Sequence, residues 1–147
     1  MNEPPACLVV DADWARDAAA IRSIRRLVFV EEQGIPENLE WDGRDADCCH
    51  VLALAGSTEA VATGRLLADG RIGRMAVLRE WRGRGVGSEL LERLQCCALE
   101  QGLRRVYVHA QLDVAAFYSR AGFQVVGQPF AAADIPHIKM TKVLAAG

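Results

Sequence analysis

The chain has 147 residues, 51% of them hydrophobic, and a formal net charge of −2. That is the size of one domain around one buried core, and the slightly negative balance excludes the global basic field of a nucleic-acid binder and the acidic tract of a disordered tail. Apolar runs such as "RRLVFV" and "HVLALAG" are far shorter than a membrane span, and "MNEPPACLVVDAD" lacks the basic-then-apolar layout of a signal peptide, so the expected location is cytoplasmic.

No internal repeat, low-complexity segment or linker interrupts the chain, which reads as a single domain over 1–147. "ACLVVDAD" is rich in β-formers and reads as the first strand, and Asp13 is placed to cap a helix beginning at Trp14. From Trp14 to about Glu31 the pattern is helical, with Ile21, Ile24, Leu27 and Val28 on one face and Arg22, Arg25 and Arg26 on the other. Gly34 and Pro36 end it. "PENLEWDGRDADC" is polar, with a turn signal at Asp42-Gly43, and reads as a loop or short helix. Its acidic residues Glu37, Glu40, Asp42, Asp45 and Asp47 are either a solvated loop or an attractor for a cationic amine.

Three strand candidates come next: "CCHVLALAG", "EAVATGRLLAD" after a turn at Gly56 to Thr58, and "GRIGRMAVL" after the hairpin signal Asp69-Gly70. They make an antiparallel meander. Val86, Leu90, Leu94, Cys97 and Ala98 then repeat at helical spacing to about Gln101, with Gly102 as the stop. "RVYVHA" reads as a strand, "DVAAFYSRA" as a short helix, and "FQVVGQPF" and "HIKMTKVL" as the last two strands. The order implies a mixed sheet with helices on it rather than a uniform strand-helix alternation.

Of the five cysteines, Cys48 and Cys49 are neighbours, as are Cys96 and Cys97, and no C-x-x-C spacing occurs. They read as reduced, mostly small buried side chains. Cys48, Cys49 and His50 make a poor metal set, because consecutive strand residues point to opposite faces. No metal site is expected.

"WRGRGVGSELL" lies between a strand and an amphipathic helix. A helix N-terminus offers unsatisfied N–H groups and partial positive charge, glycines admit a close ligand, and arginines add forked donors. Together these suit an anion, most often phosphate. A P-loop is excluded by the missing lysine. A dinucleotide loop is excluded because Ser88 stands where its last glycine belongs.

The segment Arg82-Gly83-Arg84-Gly85-Val86-Gly87 resembles the acyl-CoA pyrophosphate loop of the GNAT superfamily of N-acetyltransferases. "AAFYSRAGF" resembles that superfamily's later segment through Phe117, Tyr118, Gly122 and Phe123. Val114 stands in place of its usual alanine and Gln111 in place of its usual asparagine. Three further pieces resemble the ElaA-type branch: Val28, Phe29, Val30, Glu32 and Gln33; Glu40, Asp42 and Asp45; and Pro136, His137 and Met140.

The resemblance implies an α/β GNAT fold. This is a mostly antiparallel mixed sheet of six to seven strands, splayed at two central parallel strands, with about four helices. It implies acetyl-CoA as co-substrate, held by the backbone of Met75, Ala76 and Val77 and by Arg82, Gly83, Arg84, Gly85, Val86, Gly87 and Ser88, with Gln111 and Phe117 beside it. It implies direct transfer to an amine acceptor in a ternary complex. The Val77 N–H would hold the oxyanion and Tyr118 would protonate the thiolate. Glu32, His109 and His137 are the candidate proton acceptors. Trp41 and Trp81 are either packing residues or cleft walls. A non-catalytic acyl-CoA binding or sensing module on the same fold stays open. An acyl-homoserine-lactone synthase-like activity is a weaker third reading, because it does not account for the arginine-glycine loop or the Tyr118 segment. C-terminal edge strands could pair in a homodimer.

Overall fold

The structure, a computed structural model, describes residues 7–56 and 58–144. Ala6 of the first expected strand and Ser57 of the first expected turn lie outside the described residues. The remaining expected elements are all present, and apart from the first helix their bounds differ by at most three residues. Strands β1 (Cys7–Ala12), β2 (Cys49–Ala55), β3 (Glu59–Leu66) and β4 (Ile72–Val77) form an antiparallel sheet in that order. Strands β5 (Arg105–Gln111), β6 (Gln124–Ala132) and β7 (Ile135–Val143) form a second one, in the order β5-β7-β6.

The two sheets meet where β4 and β5 run parallel. The contact is a single bridge, Arg71 opposite Tyr107, with the Tyr107 N–H donating to the Gly70 carbonyl at 3.1 Å. Gly70 makes this approach feasible. Its φ is +98°, and a Cβ there would lie 2.8 Å from the Arg105 carbonyl oxygen. Beyond the bridge the strands diverge, so their facing backbone groups lose a ladder partner.

Each face of the first sheet carries a helix. α3 (Val86–Glu100) presents Val86, Leu90, Leu91, Leu94, Cys97 and Ala98 to one core, where Val51, Ala53 and Ala55 of β2 meet it. α1 (Trp14–Arg25) presents Ile21 and Ile24 to the other, which takes Leu52 from between those residues. The strand's period of two thus feeds both layers. Asp13 caps α1 by accepting from the Ala15 N–H at 2.9 Å.

Three expectations need correction. First, the helix expected to reach Glu31 changes character at Arg26, and Arg26–Glu32 is π-helical. The Gln33 N–H reaches back five residues to the Val28 carbonyl. The wider turn shifts the phase of the side chains, so Val28 and Phe29 stay buried while Leu27 is 43% exposed.

Second, Arg25 is not on a solvent face. It is fully buried, donating to Glu40 at 2.7 Å and Asp45 at 2.6 Å, under the ring of Trp41. Third, the acidic loop is neither wholly solvated nor free to attract an amine. Glu40, Asp42 and Asp45 are held by Arg25, Arg65 and Arg74. The short helix α2 (Glu37–Glu40) delivers Glu40 to this network. Hydropathy patterns assign each arginine to a surface because they cannot see a partner twenty residues away.

Candidate active site

The sheet supplies the scaffold through a β-bulge. Thr63 pairs with Ala76, but Arg65 pairs with Gly73, so Arg74 and Met75 together face Gly64. Arg74 takes the left-handed conformation, φ 50°. Such a bulge bends the strand and re-aims its side chains. Gly64 leaves room for the result: a Cβ there would lie 2.8 Å from the Met75 Sδ and 2.9 Å from a Leu94 methyl. The Arg74 guanidinium reaches back to the Leu39 and Glu40 carbonyls, tying the bulge to the loop beside it.

The Leu78 N–H donates to the Val61 carbonyl at 2.9 Å, in register with the Ala62–Val77 pair. Alternation along an antiparallel ladder then makes 62/77 a non-hydrogen-bonded pair. Val77 turns its N–H and carbonyl away from β3, toward the divergence, whereas Ala76 directs its own groups into the β3 ladder.

A cleft of about 870 Å³ opens at the divergence. One wall is Met75, Ala76 and Val77. Another is the loop and first turn of α3, Arg82, Gly83 and Gly85 to Ser88, and a third is Phe117 and Tyr118 on α4 (Ala115–Arg120), with Gln111 at the end of β5. Gly83 and Gly85 have φ of +75° and +81°, with no atom within 4 Å of where a Cβ would stand. Their backbone is open to a ligand, and a side chain there would be strained. α3 begins at Gly85 with no side-chain cap, so its first-turn N–H groups face the cleft unused. Trp81 is a cleft wall, with the Arg84 guanidinium 4.7 Å from its ring centre.

The arginine expected to meet phosphate is already engaged. Arg82 grips both oxygens of Glu32, at 2.7 and 2.8 Å, and its Nε donates to the Val77 carbonyl at 2.9 Å. Hydrogen bonding from Arg82 lowers the Glu32 pKa, which makes that carboxylate a weaker proton acceptor than its place beside the cleft suggested. Gln111 likewise donates to Gln33 at 2.8 Å, which joins the end of β5 to the π-helical segment.

Tyr118 is 8% exposed and touches Phe117 and Phe123 edge-on. Burial alone pushes its phenol up to about 12. It borders two cavities. The second, about 180 Å³, lies across the divergence and is lined by His109, His137, Gln111, Gln33, Met75, Tyr118, Arg71, Arg74 and Glu40, among others. His109 and His137 thus share one chamber, each about 5 to 6 Å from the Phe130 ring. The His137 Nδ1 is 2.7 Å from the Ile135 carbonyl. A carbonyl only accepts, so Nδ1 carries the proton and a neutral ring keeps Nε2 as acceptor. Burial, then the charges of Arg71 and Lys139, lower the His109 pKa.

Residues 29–144 match the family described as an acetyltransferase (GNAT) domain. The chain belongs to this family. It is an acyltransferase of the GNAT fold. It is similar to the Bacillus subtilis protein YyaT, 35% identical over 125 residues, covering 81% of this chain and 84% of that one. It is similar to the crystal structure of Escherichia coli ElaA, at 32% identity and a TM-score of 0.80, covering 92% and 99% of the two chains. It is similar also to an acyl-CoA N-acyltransferase from Pseudomonas aeruginosa, at 32% identity and a TM-score of 0.83, covering 94% and 100%.

Within this GNAT domain, the residues expected beside the co-substrate line the cleft except Arg84, which lies over Trp81, and Arg71, Arg74 and Gly64 were not among the residues singled out from the sequence. The hairpin signal Asp69-Gly70 was the available clue to Arg71, since it marks where β4 begins beside β5. Cys48 donates to the Arg44 carbonyl and Cys49 accepts from Gln101, so the adjacent thiols have separate partners. Among the described residues no helix is long and apolar enough to cross a membrane.

Proposed function

We propose that the protein is an N-acetyltransferase moving an acetyl group from acetyl-CoA directly to an amine in a ternary complex. One observation carries this: Tyr118 stands at the boundary between a backbone-walled cleft and a histidine-lined chamber. The residues present fit a CoA-type co-substrate. Gly83 and Gly85 expose an open, positive-φ backbone, the α3 N-terminus is uncapped, and Arg82 and Arg84 stand beside it. These would hold the pyrophosphate, and the Val77 carbonyl would accept from a pantetheine amide as an added strand would, once Arg82 releases it, leaving the Val77 N–H for the reacting carbonyl. Acetyl-CoA supplies the activated acetyl group.

The chain's own residues divide the remaining work. The Val77 N–H donates to the oxyanion that develops at the acetyl carbonyl. Tyr118, kept protonated at neutral pH because burial pushes its phenol up to about 12, delivers a proton to the departing thiolate. The amine arrives as an ammonium and must lose a proton, and His137 accepts it at Nε2, directly or through water, with His109 beside it. Glu32 holds Arg82 instead. The exposed edge strand β6 is where a second copy would pair, which sedimentation of the purified chain tests.

The decisive experiment measures thiol release from acetyl-CoA across a panel of primary amines, beside Tyr118→Phe. Amine-dependent release that falls steeply in the variant supports the reading. Tight CoA binding with no release on any amine would instead establish a sensing module.

A further inference from the structure

The chamber opposite the donor cleft has an unbalanced charge. Glu40 lies in its wall, but that carboxylate is taken by Arg25 at 2.7 Å and Arg74 at 3.2 Å. Asp42 and Asp45 are consumed by Arg65, Arg25 and Arg74. Three acids and three arginines therefore cancel. Arg71 is left over. It is half-buried and lines the chamber, yet among the described residues it has no carboxylate within 4.0 Å and its side chain donates no hydrogen bond. Asp69 is directed elsewhere, to the Tyr107 hydroxyl and the Arg71 backbone N–H. Burial lowers the Arg71 pKa, as expected of a guanidinium short of partners, and its charge reaches His109.

None of the Arg71 nitrogens is both enclosed and unpaired, so its donors face the chamber and are free for a ligand that enters it. The ligand must be an anion, because a planar fork of N–H groups matches a carboxylate in two-point fashion. The chamber holds about 180 Å³, below the 300 to 1,000 Å³ typical of a drug-sized ligand site, which limits the guest to a small metabolite. Arg71 is four residues before Met75, roughly 13 Å of strand, and the arginine side chain spans part of that. The anion and the reacting nitrogen are therefore several bonds apart.

We infer that the acetyl acceptor is a small amine carrying its own carboxylate, with the carboxylate on Arg71 and the amine turned toward Tyr118 and Met75. The inference rests on the acetyltransferase reading and narrows it. A simple polyamine meets a net positive wall and is disfavoured.

The test uses matched amines that differ only in the anion: ω-amino acids with two to five methylenes against alkylamines of the same length, and ω-aminoalkyl phosphonates as a third arm. Thiol release from acetyl-CoA is followed with the full chain and with Arg71→Gln and Arg71→Lys. The ω-amino acids should exceed their alkylamine counterparts in kcat/KM by at least about tenfold, chiefly through KM. Arg71→Gln should erase that ratio and Arg71→Lys restore part of it, with acetyl-CoA affinity and melting temperature reporting that the variants are folded. A phosphonate preference over carboxylate would overturn the carboxylate assignment. Alkylamines used equally well, or a ratio untouched by Arg71→Gln, would overturn the role of Arg71 while leaving acyl transfer standing. Bound CoA with no release on any arm would overturn acyl transfer, and this inference with it.

Discussion

The two cavities that meet at Tyr118 are built on different principles. The donor cleft is made of backbone: an unpaired strand segment, two left-handed glycines and a bare helix end. The acceptor chamber is made of side chains from β4, β5, β7 and the loops after α1, set in place by a buried ionic network. On the proposed function, backbone would serve a co-substrate whose amides and phosphates look the same in every reaction of this type, and side chains would serve a partner that differs from enzyme to enzyme. The donor half can therefore be tested through binding and chemistry, and the acceptor half through folding and selectivity.

The largest expected effect falls at the shared boundary. Tyr118→Phe keeps the aromatic packing against Phe117 and Phe123 and removes only the hydroxyl. Steady-state kinetics should show kcat down by about 10² to 10⁴ with CoA affinity unchanged, the range typical of losing a positioned acid. An unchanged kcat would reduce Tyr118 to a packing residue. With a phenol pKa of about 12, the alkaline side of the profile should show no loss from Tyr118 through pH 10.

The next effect probes the acceptor scaffold. Arg25→Met leaves Glu40 and Asp45 each short of a buried partner, although Arg74 and Arg65 remain. Breaking one side of a buried pair costs about 3 to 5 kcal/mol, readable by urea unfolding. The same network has a pH signature. Hydrogen bonding from Arg65 holds Asp42 far below its ordinary value. In Asp45, burial opposes, but the bonds from Arg25 and Arg65 outweigh it and its pKa is also lowered. A carboxylate depressed in the folded state contributes stability above its unfolded pKa of about 3.9 and loses it as pH falls toward the folded value. Glu40, raised by burial, works in the opposite sense. Two depressed groups against one raised group predict steep loss of stability below pH 4, flattened in Arg25→Met.

A smaller effect returns to the donor cleft. Gly85→Ala must hold φ near +81° with a Cβ, a strain of about 1 to 2 kcal/mol. The cost is shared between stability and the loop's fit to phosphate, so CoA affinity should weaken by up to about tenfold with a lower melting temperature. No change in either would mean that the loop does not keep this shape.

The walls of the larger cleft were legible in the sequence because each is a short contiguous stretch. Arg82 to Ser88 is one stretch, and strand, loop and helix are each coded by neighbours. Even so, the reading gave Ala76 a ligand-facing backbone that the ladder register assigns to β3. The chamber was not legible for the complementary reason. Arg25 finds Asp45 across twenty residues, and Arg65 finds Asp42 across twenty-three. A period-based reading sees only a polar residue on a helix or strand. The bulge at Arg74 and the π-helical turn after Arg25 are single-residue departures from regular period, and no propensity announces them.

Glu32 and Arg82 join the two halves, and the smallest effect tests that join. Glu32 stands at the end of the π-helical segment, and Arg82 opens the glycine loop and also occupies the Val77 carbonyl. On the proposed binding mode, phosphate and the Glu32 carboxylate would compete for one guanidinium, and a pantetheine amide would compete with that guanidinium for the Val77 carbonyl. Releasing Arg82 by Glu32→Gln therefore removes a rival to the phosphate but also loosens the arginine's placement. The pair is partly exposed, where ion pairs contribute about 0 to 1 kcal/mol, so the net change in CoA affinity should stay within about fivefold. Salt separates the two contributions. If the pair acts as a rival, the variant's affinity advantage is greatest at low ionic strength, where Glu32 holds Arg82 hardest, and fades as screening weakens that hold. Isothermal titration of CoA at two salt concentrations reads this directly. Weaker binding in the variant at both would show that Glu32 positions Arg82 for the ligand rather than withholding it.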